Sequence, residues 1–476
     1  MNERIGHQPL LHMGAFEAEL YWREDDLATL PALPDKEAEK IVTAMDELLF
    51  TFCQPGDLLF TRYAMEPAQR QYIHQLGFSV YGNVQDLEMD ASKIKDQILA
   101  GQDQTMAAIN RLSTGKQAGM SARPVSVFEW MQQQDEQLAE QFPLATMQLS
   151  PFAWIPHIEE LNQRFGIGYH APELEVVKKV NTKQYSAQMK QTLNLSGVGV
   201  LVESSEELVE KGSEWLHEGS FLIKDNYGVS GKGNMLIDSP ELLVRIGHGL
   251  HKQEEKGKKV QFLLEKYLQK ERDFSCQFHI DPQGNIEMLS VQWLANSQFA
   301  YRESLSPDPA FMMRLEQEGY FALMEQIGKQ LYQDGYFGHV CIDSMVLQDG
   351  SLEPMVEINA RKSMSLIKHQ MDQYLRTYGQ VGNMTNYNVS HTGEVSHEQL
   401  LHLLDQANLL YLPNRQQGII PLTSSALHIN HRFRNDNKKH KGRIYLSVVA
   451  SHDYIKQQLL TQFEQLLETN HFSILN

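Results

Sequence analysis

The chain has 476 residues, 42% of them hydrophobic and 21% charged, with a formal net charge of −18. The length predicts two or three domains, and the composition is typical of a globular protein. The negative charge argues against nucleic acid or an anionic membrane as partner, because phosphates would be repelled. Three distant cysteines predict no disulfide framework or zinc site. The absence of a signal-like start and of a membrane-length apolar run leads us to expect a cytoplasmic protein.

The N-terminal segment, residues 1–172, alternates short apolar runs with helical patterns, which predicts an α/β domain with parallel strands. The clearest unit is a strand at 57–60, a helix at 66–76 and a strand at 78–81. Residues 84–147 are predicted to be mostly helical. Aromatic residues, Pro and Gly at 151–172 then indicate a domain boundary.

A helix start is predicted at 180–186, with Asn181 as its N-cap and Lys183 in its first turn. The helix dipole disfavours a cation at that position. Lys183 therefore either faces an anion or points into water.

The most informative segment is 221–234, where a short apolar strand ends at Lys224 and a loop with Gly228, Gly231 and Gly233 follows. Glycines let backbone N–H groups approach a polyanion, and lysines add charges that suit phosphate. The spacing matches neither the P-loop nor the dinucleotide fingerprint. An apolar run follows at 235–237, so the segment is either a glycine-rich hairpin that folds over a nucleotide or a mobile surface hairpin.

Three weaker features follow along the chain. The strand predicted at 260–264 runs into a connector in which Glu265 can accept from an amino or hydroxyl group, although a plain buried strand fits equally well. Asp273 opens a strand to 280 and either accepts from a ribose hydroxyl or ends a turn. Arg302 follows a strand at 288–294, in a loop, and either holds a carboxylate substrate or forms a surface ion pair.

An acidic hairpin is predicted at 336–361, where two apolar runs flank Asp349-Gly350. A three-residue turn places Asp343 beside Glu357, whereas a two-residue turn places it beside Val356. Asn359 shares a face with Glu357 in either register, because side chains alternate along a strand. Two facing carboxylates in apolar strands need a cation or a proton between them, and this oxygen set suits magnesium. The alternatives are a solvated face or a simple pair of Glu357 with Arg361.

The C-terminal part is predicted to contain a helix at 395–411, a loop-rich stretch at 412–442, a strand at 444–450 and a helix at 454–467. The basic run 432–443 either attracts a substrate anion or is a solvated loop.

These features occur in a distinctive order: a lysine at a helix start, a strand lysine with a glycine loop, an acid before a connector, and the hairpin that closes with Glu-x-Asn-x-Arg at 357–361. This order resembles the ATP-grasp superfamily of carboxylate–amine ligase type over about residues 175–365. The strand reads Lys224-Asp225 where many members have Lys-Pro, which leaves the subfamily open. In layout, the N-terminal segment and the tail resemble pheganomycin-type peptide ligases and butirosin-type enzymes that load an amino acid on a carrier protein.

The resemblance implies a mixed α/β and α+β fold. Its expected parts are an N-terminal α/β pre-ATP-grasp domain at 1–172, the small lobe at 173–268, the large lobe at 269–395 and a small C-terminal element of helix and strand at 396–476.

The resemblance also implies roles for individual residues. Phosphate contacts and the lid would involve Lys183, Lys224, Ser230, Gly231, Lys232 and Gly233. Adenine would be framed by Glu265, Lys266 and Leu268, with Asp273 at the ribose, and magnesium would be held by Asp343, Glu357 and Asn359. Arg361 would steady an acyl phosphate, and Arg302 is the other predicted catalytic residue.

The implied reaction joins a small-molecule carboxylate to an amine, through an acyl phosphate, with release of ADP and phosphate. ATP and Mg²⁺ are the expected cofactors, with Mn²⁺ as an alternative, and the expected setting is natural-product or small-peptide biosynthesis. A carrier protein as partner and a homodimer are left open. The alternatives are a thiol ligase that loads a carrier protein, a kinase-like phosphotransferase and a non-catalytic ATP-binding protein.

Overall fold

The computed structural model describes residues 8–31, 35–83, 86, 124–133, 137–228, 233–297, 300–432, 434 and 436–475. The strands within these residues form three sheets. None of the helices in the described ranges combines the length and the apolar character that crossing a membrane requires.

The N-terminal sheet consists of four parallel strands in the order β3-β2-β1-β4. Its strands are β1 (Leu10–Met13), β2 (Leu58–Phe60), β3 (Tyr81–Gly82) and β4 (Gln148–Pro151). The predicted strand–helix–strand unit is confirmed, although β3 begins only at the last residue of the predicted strand. The helices of this part are Glu19–Trp22, Lys36–Thr43, Pro67–Gln75, Val127–Gln133, Gln137–Gln141 and Ile158–Phe165, with 3-10 helices at Ala44–Phe52 and Leu144–Thr146.

The prediction of a mostly helical 84–147 is tested only in part. Residues 84, 85, 87–123 and 134–136 lie outside the described residues, whereas Val127–Gln133 and Gln137–Gln141 are helical as predicted.

The segment expected to form the small lobe, residues 173–268, contains an antiparallel sheet in the order β5-β8-β6-β7. Its strands are β5 (Val200–Val202), β6 (Phe221–Asp225), β7 (Asn234–Ile237) and β8 (Phe262–Lys266), and its helices are Leu174–Val180, Lys183–Thr192, Ser205–Leu216 and Pro240–Glu254. Most of these elements pack around a separate apolar core, which includes Val202, Leu208, Phe221 and Phe262 and is joined by Ala28 and Leu30 of the N-terminal segment. The predicted hairpin around the glycine loop is therefore confirmed as β6 and β7.

The large sheet has nine strands, with β13-β12-β9-β10-β11-β14-β16-β15 in order and β17 beside β14, and its pairings are antiparallel. The strands are β9 (Lys270–Ile280), β10 (Ile286–Ser297), β11 (Ala300–Leu305), β12 (Gly338–Leu347), β13 (Leu352–Asn359), β14 (Gly382–His391), β15 (Gly418–Pro421), β16 (His440–Val449) and β17 (Ser473–Leu475). The accompanying helices are Pro309–Gln317, Tyr320–Gln333, Met364–Arg376, His397–Gln406, Ser425–His428 and Asp453–Thr469. This sheet shares one continuous apolar core with the N-terminal domain.

The C-terminal residues differ from the prediction in two places. The stretch 412–442 contains β15, a short helix and the start of β16, and the predicted helix 395–411 ends at Gln406. The sequence of β15 does not alternate between polar and apolar residues, because all four of its residues are buried. The strand pairs with β16 at the edge of the large sheet. The last helix is confirmed as Asp453–Thr469, and the strands after 396 extend the large sheet.

Candidate active site

The acidic hairpin, formed by β12 and β13, places Asp343 directly opposite Glu357. Directly opposite residues share a face of the sheet, so the expected juxtaposition of the two carboxylates is confirmed. The turn has three residues, since the Leu347 N–H donates to the carbonyl of Ser351 at 2.9 Å, but it lies one residue earlier than the pairing of Asp343 with Glu357 requires, because Val346 pairs with Leu352. A β-bulge then restores the expected register between Met345 and Asp343.

The pKa values of the two carboxyl groups of this hairpin shift in opposite directions. Burial and the nearby charge of Glu357 raise the pKa of Asp343 to about 7. Burial also acts to raise the pKa of Glu357, but Lys183 and Lys224 outweigh it and lower that pKa. The Nδ2 of Asn359 donates to Oδ2 of Asp343 at 3.0 Å. The hairpin thus concentrates negative charge that neighbouring cations only partly balance.

Two buried lysines reach this region from the small-lobe side. Lys183 forms an ion pair with Glu357, and Lys224 forms one with Glu265. Burial acts to lower the pKa of Lys224, but the charges of Glu265, Glu357 and Asp343 raise it. Of the two expectations for Lys183, the one in which the side chain faces an anion is confirmed.

The helix that carries Lys183 is not capped by Asn181, so that prediction is wrong. Thr182 is the N-cap, and its hydroxyl accepts from the N–H of Tyr185 at 3.0 Å. Asn181 instead accepts from the N–H of Ala360 at 2.9 Å and donates to the carbonyl of Val177 at 2.8 Å. The side chain therefore ties the lysine helix to the residue before Arg361.

We expect Asn181→Ala to lower the free energy of unfolding by about 1–3 kcal/mol, because buried backbone groups lose their partner. Asn181→Asp keeps the acceptor for the Ala360 N–H but turns a buried carboxylate oxygen toward the carbonyls of Val177 and Ala360, so it should lose at least as much. Urea denaturation of the two variants tests this, and an alanine variant as stable as the parent would contradict the positioning role.

The glycine loop is described only at its two ends. Ser230, Gly231 and Lys232 lie outside the described residues. A Cβ on Gly228 would lie 2.7 Å from the Cα of Gly233, so the two stems of the loop meet backbone to backbone. Asn226 joins the loop to the Lys183 helix, since its carbonyl accepts from the Lys183 N–H at 3.2 Å. The glycines at the stems therefore have a steric role as well as any role toward a ligand.

The predicted adenine and ribose residues lie on the strands that flank the lysines. Glu265 and Lys266 end β8, where Lys266 is exposed and pairs with Glu218 at 2.5 Å, and Leu268 is half-buried in the following connector. Asp273 lies within β9, where it accepts from Lys270 at 2.5 Å and from Asn296 at 2.9 Å. It shares a face with Asp343, because Ser275, two residues further on, pairs with Asp343.

The two predicted arginines lie in different places. Arg361 follows β13 and forms an ion pair with Glu19 of the N-terminal domain at 2.6 Å, so it is not the partner of Glu357. Arg302 lies within β11 rather than in a loop, and its side chain is exposed. Three strand spacings of about 4.8 Å separate β11 from β12. The structure brings Arg361 to the acidic hairpin and leaves Arg302 apart from it.

The basic run 432–443 faces the N-terminal domain. Arg434 and His440 pair with Glu37 at 2.8 and 2.7 Å, and Lys441 pairs with Asp35 at 2.6 Å. Several of its basic side chains form ion pairs within the chain. The run is therefore neither a simple solvated loop nor a set of free cations that could attract a substrate anion.

Comparison with solved structures places this geometry in a known architecture. An N5-carboxyaminoimidazole ribonucleotide synthetase, PurK, solved as its ADP complex, superposes with a TM-score of 0.51 at 12% identity, over 97% of this chain and 96% of that one. The chain has the ATP-grasp fold. A biotin carboxylase from Campylobacter jejuni is also similar, with a TM-score of 0.48, 12% identity and coverage of 92% and 90%. No protein-family model and no protein of curated function matches the sequence.

Two residues beside Arg361 escaped the sequence interpretation. Glu19 was missed because it is 342 positions from its partner Arg361. Lys362 was missed although it directly follows the Glu-x-Asn-x-Arg motif, and it is 3% exposed in the structure. A basic residue next to that motif was the available signal for Lys362.

Proposed function

We propose that the chain is an ATP-dependent carboxylate–amine ligase that forms an amide or peptide bond through an acyl phosphate. The observation that carries the proposal is the meeting of Lys183 and Lys224 with the facing acids Asp343 and Glu357. Two buried cations and two half-buried carboxylates on one surface suit a nucleotide polyphosphate with a divalent cation.

The nucleotide is proposed to lie between the small lobe and the acidic hairpin. Lys183, Lys224 and the glycine loop would contact the phosphates, because phosphate oxygens can replace the carboxylates that pair with these lysines now. Glu265, Lys266 and Leu268 would border the adenine, with Asp273 at the ribose. PurK, which shares the fold, was solved with ADP, and this supports the same nucleotide class here.

Asp343, Glu357 and Asn359 would hold Mg²⁺, or Mn²⁺ in its place. The donor set fits the ion, since it consists of two facing carboxylates and an amide on one surface. In the described part of the chain, no group of three or more His, Cys, Asp and Glu is arranged to hold a metal, so phosphate and water would supply the remaining ligands. When bound, the ion would neutralise charge on the transferring phosphoryl group.

The chain's own residues would orient the substrates and stabilise charge. Lys183 and Lys224 spread the charge that develops as the γ-phosphoryl group moves to the substrate carboxylate. Arg361 would hold the resulting acyl phosphate. The amine nitrogen then bonds to the acyl carbon, the carbon–oxygen bond to phosphate breaks, phosphate leaves with the electron pair, and a proton passes from nitrogen to solvent.

The test is ADP release from Mg·ATP over a matrix of carboxylates and amines, with mass detection of the products. We expect ADP to appear only when both substrates are present, together with an amide. A stable phosphoester would favour the kinase-like alternative, and a thioester on a carrier protein would favour the thiol ligase. ATP binding without turnover over the whole matrix would contradict ligase activity. A role in natural-product or small-peptide biosynthesis would be supported by amino acids among the active substrates.

A further inference from the structure

The segment 23–31 crosses from the N-terminal domain to the β5–β8 sheet, and we call it the strap. Within it, Leu27 forms a parallel bridge with Lys259, and the N–H of Ala28 donates to the carbonyl of Lys259 at 2.7 Å. Ala28 and Leu30 are buried in the apolar core of that sheet. The strap is therefore a second connection between the N-terminal domain and the part of the chain that carries the glycine loop, besides the covalent one.

The first residue of the strap, Arg23, forms an ion pair with Asp225, the last residue of β6. The two side chains are only 13% and 9% exposed. Nη2 of Arg23 also donates to the carbonyl of Ala28 at 2.5 Å, so one guanidinium holds both the strap and the strand. When an ion pair is withdrawn from water in this way, the loss of one partner leaves an uncompensated charge. The pair lies where many ATP-grasp members have the proline of Lys-Pro, and proline could not form it.

Asp225 in turn organises both stems of the glycine loop. Its N–H donates to the carbonyl of Gly233 at 2.6 Å, and its own carbonyl accepts from the N–H of Gly228 at 3.1 Å. Its carboxylate accepts from the N–H of Tyr227 at 3.0 Å. The points at which the loop leaves the sheet and returns to it therefore depend on one residue, whose side chain Arg23 holds.

Two other side-chain contacts of the strap are more exposed. Lys259 pairs with Asp26 at 2.7 Å, but these side chains are 62% and 44% exposed. The backbone of Thr29 exchanges hydrogen bonds of 3.0 and 2.9 Å with the side-chain amide of Gln253, also at the surface. Exposed ion pairs contribute little, because water and salt screen them. The pair of Arg23 with Asp225 is thus better suited to fix the loop.

We propose that Arg23 is a positioning residue for the nucleotide, which acts through Asp225 by fixing the stems of the glycine loop to the N-terminal domain. This inference rests on the proposed function, in which the loop contacts the phosphates. Stems that are held in one arrangement before ATP arrives reduce the entropy that binding costs. Arg23 also neutralises a carboxylate that directly follows Lys224 in the chain, where an uncompensated negative charge would repel phosphate.

Binding of Mg·ATP to the full-length protein, measured by isothermal titration calorimetry, tests the effect on the nucleotide. Arg23→Met keeps much of the side-chain length and removes the charge, and we expect it to raise the Kd by about tenfold or more. Lys259→Met is the matched control, because it removes an exposed cation that contacts the same strap and should leave the Kd within about twofold. Arg23→Met protein that binds Mg·ATP as tightly as this control would overturn the inference.

Amide hydrogen exchange of the ligand-free proteins tests the positioning role itself. We expect Tyr227 and Gly228, whose N–H groups donate to Asp225, to exchange faster in Arg23→Met than in Lys259→Met. Exchange in the helix Ser205–Leu216 should be the same in both. Weaker binding with unchanged exchange at the stem would show that Arg23 acts on the nucleotide directly, which would also overturn the inference.

The two measurements separate this inference from the proposed function. A parent protein that does not bind Mg·ATP would overturn the proposed function, and the exchange comparison would still decide whether Arg23 fixes the stems. If Arg23→Met does not fold, Arg23→Lys takes its place, because it keeps the charge but cannot reach both partners with a planar fork. Both effects should then be present in smaller degree, and parental values in both measurements would refute the role of Arg23.

Discussion

Glu357→Gln is expected to reduce ADP formation by roughly 100- to 1,000-fold while the protein still folds. The amide cannot supply the negative charge that a divalent cation needs, and Lys183 loses the carboxylate that it pairs with. In the ligand-free protein the substitution has two opposing effects on stability. It removes the repulsion between Glu357 and Asp343, and it also removes the attraction of Glu357 to Lys183 and Lys224. The melting temperature without ligand should therefore change little.

Initial rates of ADP release at saturating Mg·ATP measure this effect, and circular dichroism melting checks the fold. Glu287→Gln is the matched control, because Glu287 is exposed on β10 of the same sheet. Parental turnover in Glu357→Gln would remove this residue from the proposed metal site. A folded but inactive variant beside an active control would support its place there.

Asp343→Asn should have two effects of opposite sign. Without nucleotide or metal, the variant should melt higher than the parent, because a half-buried carboxylate facing Glu357 is replaced by a neutral group. The asparagine oxygen can still accept the hydrogen bond that Asn359 donates. With Mg·ATP present, the parent should gain stability and the variant should gain much less, since one metal ligand is lost.

The difference in stability between Asp343→Asn and the parent should depend on pH. Asp343 has a pKa of about 7 in the folded chain, above its ordinary value of 3.8, so its contribution to stability falls as the pH rises from about 4 to 7. The asparagine variant lacks this loss, and its advantage without ligand should be larger at pH 8 than at pH 5. Scanning calorimetry at both pH values, with and without Mg·ATP, measures it. A variant that melts lower than the parent at pH 8 would contradict the strain assigned to the facing acids.

The patterns that depend on neighbours in sequence predicted their elements well. The hairpin that follows Lys224 and the pairing of Asp343 with Glu357 were both expected, because alternation along a strand fixes which side chains share a face. A register shift between Asp343 and Met345 produces this pairing, because the short turn lies one residue earlier than the pairing requires. Bulges depend on how a strand packs against its neighbours, and local sequence signals them weakly.

Contacts between distant parts of the chain were the main omission. The cap at Thr182 was missed because Asn181, an equally good capping residue, is used by the distant backbone of Ala360. Arg302 was expected in a loop, but β10 extends beyond the predicted strand at 288–294, and Arg302 lies in β11, which pairs with β10 and β14. The contact of Lys183 with Glu357 likewise joins a helix to the large sheet, two elements far apart in the chain.

By itself, the sequence determined the order of the lysines, the glycine loop and the acidic hairpin, and with that order the expectation of an ATP-grasp fold. Only the tertiary structure decided that Lys183 pairs with Glu357, that Arg361 pairs with Glu19, and that Lys362 lies buried beside Ser150 with no ion-pair partner among the described residues. The reason is physical. Strand alternation and turn chemistry act over a few residues, whereas the burial and the partners of a charge depend on which distant segments pack around it.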